Sequence, residues 1–111
     1  KKSSLVIVFL ALILSTSAQA NTLKSSDFLE YSEVQQHWWY FGALQSISHM
    51  AYLLHGEQKA ECVWNWLPTE TEKKKELLRQ NFEQFPDHST TSILIALLQR
   101  SCGELVPDSG Q

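Results

Sequence analysis

Apolar positions recur along the middle of the chain with the period of a helix rather than of a strand. From Val34 to Leu54 no proline intervenes, and Tyr40, Leu44, Ile47, Ala51 and Leu54 follow at alternating steps of four and three. That spacing puts these side chains on one helical face, widened on its flanks by Trp38, Phe41 and Met50. Ser32 or Glu33 offers the start, and Gly56 a left-handed stop. Inside a helix Gly42 costs about 1 kcal/mol relative to Ala, so a neighbouring helix is expected to approach closely there.

Two further helices follow. Thr69-Glu70-Thr71-Glu72 reads as a capping box, with Thr69 at the N-cap and Glu72 three residues on. Leu78, Phe82 and Phe85 form an apolar face with Leu77 alongside, and Lys73-Lys74-Lys75 form a solvated one. Pro86 ends this helix near Gln84 or Phe85, because proline disfavours helical backbone in the residue before it. Asp87 or Ser89 then caps a stripe of Ile93, Leu94, Ala96, Leu97 and Leu98 that runs to Cys102 and stops at Gly103. Ser25-Ser26-Asp27 offers caps for a short turn carrying Phe28, Leu29 and Tyr31. Glu57 to Leu67 has weaker periodicity and reads equally as a short helix or a loop. The pattern predicts an all-α fold, a small disulfide-stapled helical bundle of three main helices plus one or two short ones.

The beginning of the chain changes the setting. Lys1 and Lys2 precede an apolar run from Leu5 to Leu14, and Ser15 to Ala20 supplies small residues ending in Ala-x-Ala. This order predicts a secretory signal peptide over 1–20, too short in its apolar part to span a bilayer core of about 30 Å. The expected organisation is signal peptide 1–20, helical domain 21–103, and a disordered tail 104–111 carrying Pro107 and Gly110. Without Lys1 and Lys2, seven basic residues face twelve acidic ones, a net charge of −5. No basic stripe remains, which argues against nucleic acid and against a membrane surface after cleavage as partners. Cys62 and Cys102 are the only cysteines. In an oxidising compartment such a pair is expected as a disulfide. Closing a loop of about 40 residues, it would stabilise the fold by roughly 4 kcal/mol.

Catalytic and metal chemistry find no constellation. His37, His49, His55 and His88 show no His-Glu-x-x-His pattern or zinc spacing, so neither a metal nor a cofactor is expected. A cysteine nucleophile needs a free thiolate, which a disulfide removes. An enzyme is not expected. The aromatic residues raise a different question. Trp38-Trp39-Tyr40-Phe41 cannot all face one core, and Trp39 is expected to point off the Tyr40–Leu44 stripe, toward the last helix or another chain. Trp64 and Trp66 flank Asn65 beside Cys62, either packing over the bridge or anchoring a partner.

Several features occur together in one order. They are an exported helical chain, Trp39-x-x-Gly42, a mid-chain Cys62, a Phe85-Pro86 turn and a final Leu97-Leu98-x-x-x-Cys102. From Phe28 to Gly103 the chain resembles the type VI secretion amidase immunity (Rap/Tai) family of small periplasmic proteins. The resemblance implies a periplasmic antidote that binds and inhibits a cognate peptidoglycan amidase effector, by inserting a loop into the amidase's groove. It implies a homodimer as one assembly, Cys62 and Cys102 as the structural bridge, and Gly42 and Pro86 as packing and turn positions. The contact surface expected here is Glu57 to Trp66, with Glu57, Glu61, Trp64, Asn65 and Trp66 as its residues. Asp87 and His88 are the second choice. The alternative is a small disulfide-bonded periplasmic chaperone or stress protein that exposes apolar surface on acidification.

Overall fold

The computed structural model describes residues 23–107. The expected signal peptide and residues 108–111 of the expected tail lie outside the described residues. Within them the chain forms five helices and no strand: α1 (Ser25–Leu29), α2 (Glu33–His55), α3 (Glu57–Trp64), α4 (Thr71–Gln84) and α5 (Thr90–Cys102). Three are long and two short, the expected all-α bundle. Of the stretch from Glu57 to Leu67 read as helix or loop, Glu57–Trp64 is helix α3 and residues 65–67 are a turn.

α2 starts on a capping box, in which the Ser32 side chain accepts from Gln35 N while the Gln35 side chain accepts from Ser32 N. It ends at Gly56, whose φ of 98° and ψ of −177° lie in a region essentially reserved for glycine, rather than in the left-handed helical well expected for the stop. The turn sends α3 back along α2, where Ser48 Oγ donates to the Ala60 carbonyl at 2.9 Å. α4 and α5 are joined through the Phe85–Pro86 turn, with Phe85 non-helical at φ −124°, as proline demands of the residue before it.

The core draws on every helix: Phe28 from α1, Tyr40, Leu44, Ile47 and Ala51 from α2, Val63 from α3, Leu78 and Phe82 from α4, and Ile93, Leu94, Leu97 and Leu98 from α5. Phe28 is its junction. Its ring meets Trp39 at 4.9 Å, Tyr40 at 5.4 Å and Phe82 at 4.9 Å, each edge to face. At the opposite end Cys62 and Cys102 are bonded, with Cα atoms 5.8 Å apart.

Several expectations need correction. Leu54 is 54% exposed, because the α2 stripe runs one turn past the helices that cover it. Ala96 also faces solvent. Trp39 packs on Phe28 and Phe82, and Trp38 and Phe41 are the ones pointing away, 63% and 45% exposed. Gly42 has no neighbour within 4 Å of an added Cβ, so no helix approaches it. The α4 capping box does not form. Thr69 Oγ1 donates to Asn65 O and Thr71 Oγ1 to Pro68 O, and the hydroxyls serve the preceding turn instead. Helix α4 therefore begins after Glu70, held left-handed at φ 56°.

Ser25 caps nothing with its side chain. It is fully buried, and its N and Oγ both donate to the His88 carbonyl at 2.9 Å, while Ser26 N donates to Pro86 O at 3.0 Å. The first turn of α1 is thus satisfied by the α4–α5 loop. Ser89, not Asp87, caps α5. Of the expected tail the structure describes Glu104 to Pro107, in which Leu105 is wholly buried. Its N–H and that of Val106 donate to Gln99 Oε1 at 3.0 and 3.2 Å, and its carbonyl accepts from His55 Nε2 at 2.9 Å.

Two glycines in one helical hairpin should respond oppositely to the same change. Gly42→Ala is expected to raise the unfolding free energy by about 1 kcal/mol, since only helix propensity changes. Gly56→Ala should lower it by about 1–3 kcal/mol through backbone strain. Urea unfolding of the two variants beside the parent checks both signs.

Burial pushes the Tyr40 phenol up to about 12 from its ordinary value of 10.0. The contribution of the neutral phenol is therefore complete below pH 10 and is lost as pH rises toward 12, by roughly 2–3 kcal/mol. Urea unfolding between pH 9 and 12 should show that decline, and Tyr40→Phe should flatten it.

Candidate partner-binding surface

The residues expected to touch a partner fall into three places. Glu57 and Glu61 lie one turn apart on α3, both exposed. Asn65 ends that helix, its carbonyl taken by Thr69 Oγ1 at 3.0 Å. Trp64 and Trp66, two residues apart, part company. Trp66 is 5% exposed, and its Nε1 donates to Ser101 Oγ at 3.1 Å. Lys74 Nζ sits 5.0 Å over its ring and also donates to its carbonyl. Trp66 therefore belongs to the core beside the disulfide and cannot serve as an anchor. Trp64 is 41% exposed on the other side of the helix end.

Asp87 and His88 stand apart from these. They precede the N-terminus of α5, whereas the disulfide holds α3 to its C-terminus, about 20 Å away along a helix of this length. Their side chains are exposed, and the His88 ring rests against Phe85 at 5.1 Å. The firm role of His88 is its backbone carbonyl, which holds Ser25. One surface cannot use both groups in a compact contact.

What the fold brings to Trp64 is instead the outer face of α2. Phe41 meets Trp64 edge to face at 5.6 Å, Trp38 meets Phe41 at 6.0 Å, and His37 meets Trp38 at 5.6 Å. Val34, one turn before Trp38, is also exposed. These rings form a continuous solvent-facing ladder. Beside it opens a groove of about 360 Å³ lined by Phe41, Leu44, Trp64, Leu67 and Pro68. Sequence reading placed Trp38 and Phe41 on the flanks of α2 but not next to Trp64. The pairing depends on the reversal at Gly56, which no periodicity reveals.

Among the described residues no three His, Cys, Asp or Glu side chains gather as a metal cluster, and no helix is long and apolar enough to cross a membrane. No protein-family model, curated protein or solved structure matches the chain. The surface is therefore read from its own chemistry. Rigid aromatic side chains on helices, one edge apolar and one edge wet, suit contact with another protein.

The two tryptophans should separate in stability measurements. Trp66→Ala is expected to lower the unfolding free energy by about 3–5 kcal/mol, as for other buried aromatic truncations. Trp64→Ala, at the surface, should change it by about 1 kcal/mol or less. Equal losses in urea unfolding would show that Trp64 is structural.

Proposed function

We propose that the protein is a periplasmic immunity protein, which binds and inhibits a cognate peptidoglycan amidase effector of type VI secretion. The single observation that carries this reading is the exposed ladder of Trp38, Phe41 and Trp64 on a bundle closed by a disulfide. Large aromatic side chains held in place before contact lose little freedom on binding, and they dominate interface energetics. The family resemblance supplies the partner class. A second reading, a small periplasmic chaperone, draws support from Tyr52, Leu53 and Leu54. These residues are exposed side by side at the end of α2, where an unfolded client could lodge.

The test is capture. The disulfide-bonded protein, immobilised, is expected to retain one small peptidoglycan hydrolase from periplasm and culture fluid in near-equal amount, and to inhibit it. Trp64→Ala should weaken that complex by roughly 30-fold or more, as hot-spot truncations do, with the fold retained. Many unrelated clients without a hydrolase, or capture only at low pH, would favour the chaperone.

A further inference from the structure

The aromatic groove adjoins a second depression along the same helix. α2 packs against α3, and α4 against α1 and α5, so α2 and α4 approach each other mainly at the Phe28 cluster. Between their facing sides lies a second groove of about 730 Å³ with Phe28, Val34 and Tyr40 among its walls. His37 from α2 and Lys75 from α4 line both grooves, so the two adjoin at these side chains. On α2 the two together run from Glu33 to Leu44 and on α4 from Thr71 to Glu83, about 17 Å or three helical turns.

Its charge is one-sided. The second groove is lined by Glu33, Glu72, Glu76 and Glu83 against Lys75 and Arg79, four carboxylates to two cations, a net −2. Arg79 is paired with both Glu76 and Glu83, and holds the Glu76 carboxyl below its ordinary range. Glu33 and Glu72 form no ion pair among the described residues. The cleft walls are helices whose interior backbone groups are already hydrogen-bonded, so an incoming strand would find no edge to extend. A helix laying an apolar face into the groove needs none.

We infer that the α2–α4 cleft is the seat for a cationic amphipathic helix of the partner protein, about three turns long. Its apolar face would meet Val34, Phe41 and Trp64, and its basic residues would meet Glu33 and Glu72. The inference rests on reading the protein as a partner-binding module and names the chemistry of the segment it holds. Opposite charges at the rim speed encounter and set orientation, while the apolar contacts hold the helix in place.

The probe is a labelled 14-residue helical peptide with Leu and Phe one turn apart on one face and Lys on its flanks. A twin carries Glu at each Lys position. Fluorescence anisotropy with the disulfide-bonded protein is expected to show the Lys peptide binding at least tenfold tighter than the twin, with the preference shrinking at high salt. Either E33Q/E72Q or Phe41→Ala should weaken it about tenfold. These are exposed positions, and unchanged melting temperatures would confirm that both variants fold.

Equal binding of the two peptides, no binding, or binding indifferent to E33Q/E72Q would overturn the cleft. So would a protein dimer dissociated by the same substitutions, which would assign the seat to a second copy. Hydrolase capture tells the two proposals apart. If Trp64→Ala abolishes capture and E33Q/E72Q leaves it intact, the inhibitor stands and the cleft falls. If the wild type captures no hydrolase while the Lys peptide binds as expected, the inhibitor falls and the cleft stands.

Discussion

Two clasps hold two helical hairpins together, and the remaining architecture follows from where they sit. The α2–α3 hairpin and the α4–α5 hairpin are joined at one end by the Cys62–Cys102 bond. At the other end the ring of Phe28 wedges between Trp39 and Tyr40 of one hairpin and Phe82 of the other. α3 needs the covalent clasp. Eight residues are too few for a helix to persist alone, and Val63 is its one fully buried side chain. A bond across a sequence separation of 40 contributes about 4 kcal/mol in the chain-entropy account, against roughly 5–15 kcal/mol for a whole domain. Trp66 and Leu105 pack around the same end, each fixed by a hydrogen bond to or near the last turns of α5.

Clasping at two ends leaves the middle of one side open. α2 is about 34 Å long, while the face of α4 opposite it is shorter and turned toward α1 and α5. Side chains of α2 that point across this gap, such as Val34 and Phe41, therefore keep water on part of their surface. Their helix is anchored at its start by the Ser32 capping box and in its middle by core residues, so the aromatic ladder is organised before any contact.

The sequence made the long helices legible because Tyr40, Leu44, Ile47 and Ala51, or Ile93, Leu94, Leu97 and Leu98, repeat with the period of the face they bury. It could not tell where the covering elements stop, and Leu54 therefore looked buried when it is not. Ser and Thr near helix starts misled for a related reason. A hydroxyl can serve a cap or any carbonyl a few residues away, and Thr69, Thr71 and Ser25 took the second option. Leu105 gave no signal at all, since one apolar residue after a terminating glycine has no period. The candidate surface was half legible. Trp64 was singled out, but Trp66 beside it proved structural, and Phe41 reaches Trp64 only through the turn at Gly56.

The placement of polar and charged side chains is also uneven through the fold. A chaperone that opens on acidification needs carboxylates whose protonation breaks interior contacts. Among the described residues the buried polar side chains are Ser25 and Thr90, neither of which titrates as a carboxylate. The carboxylates in ion pairs, Glu70, Glu76 and Glu83, lie at the surface, apart from the core. Among the described residues no carboxylate is buried in the core, and the aromatic ladder is exposed on the folded chain. The exposed apolar surface of the closed bundle thus falls in two places, the aromatic ladder of Trp38, Phe41 and Trp64 and the end of α2 at Tyr52, Leu53 and Leu54.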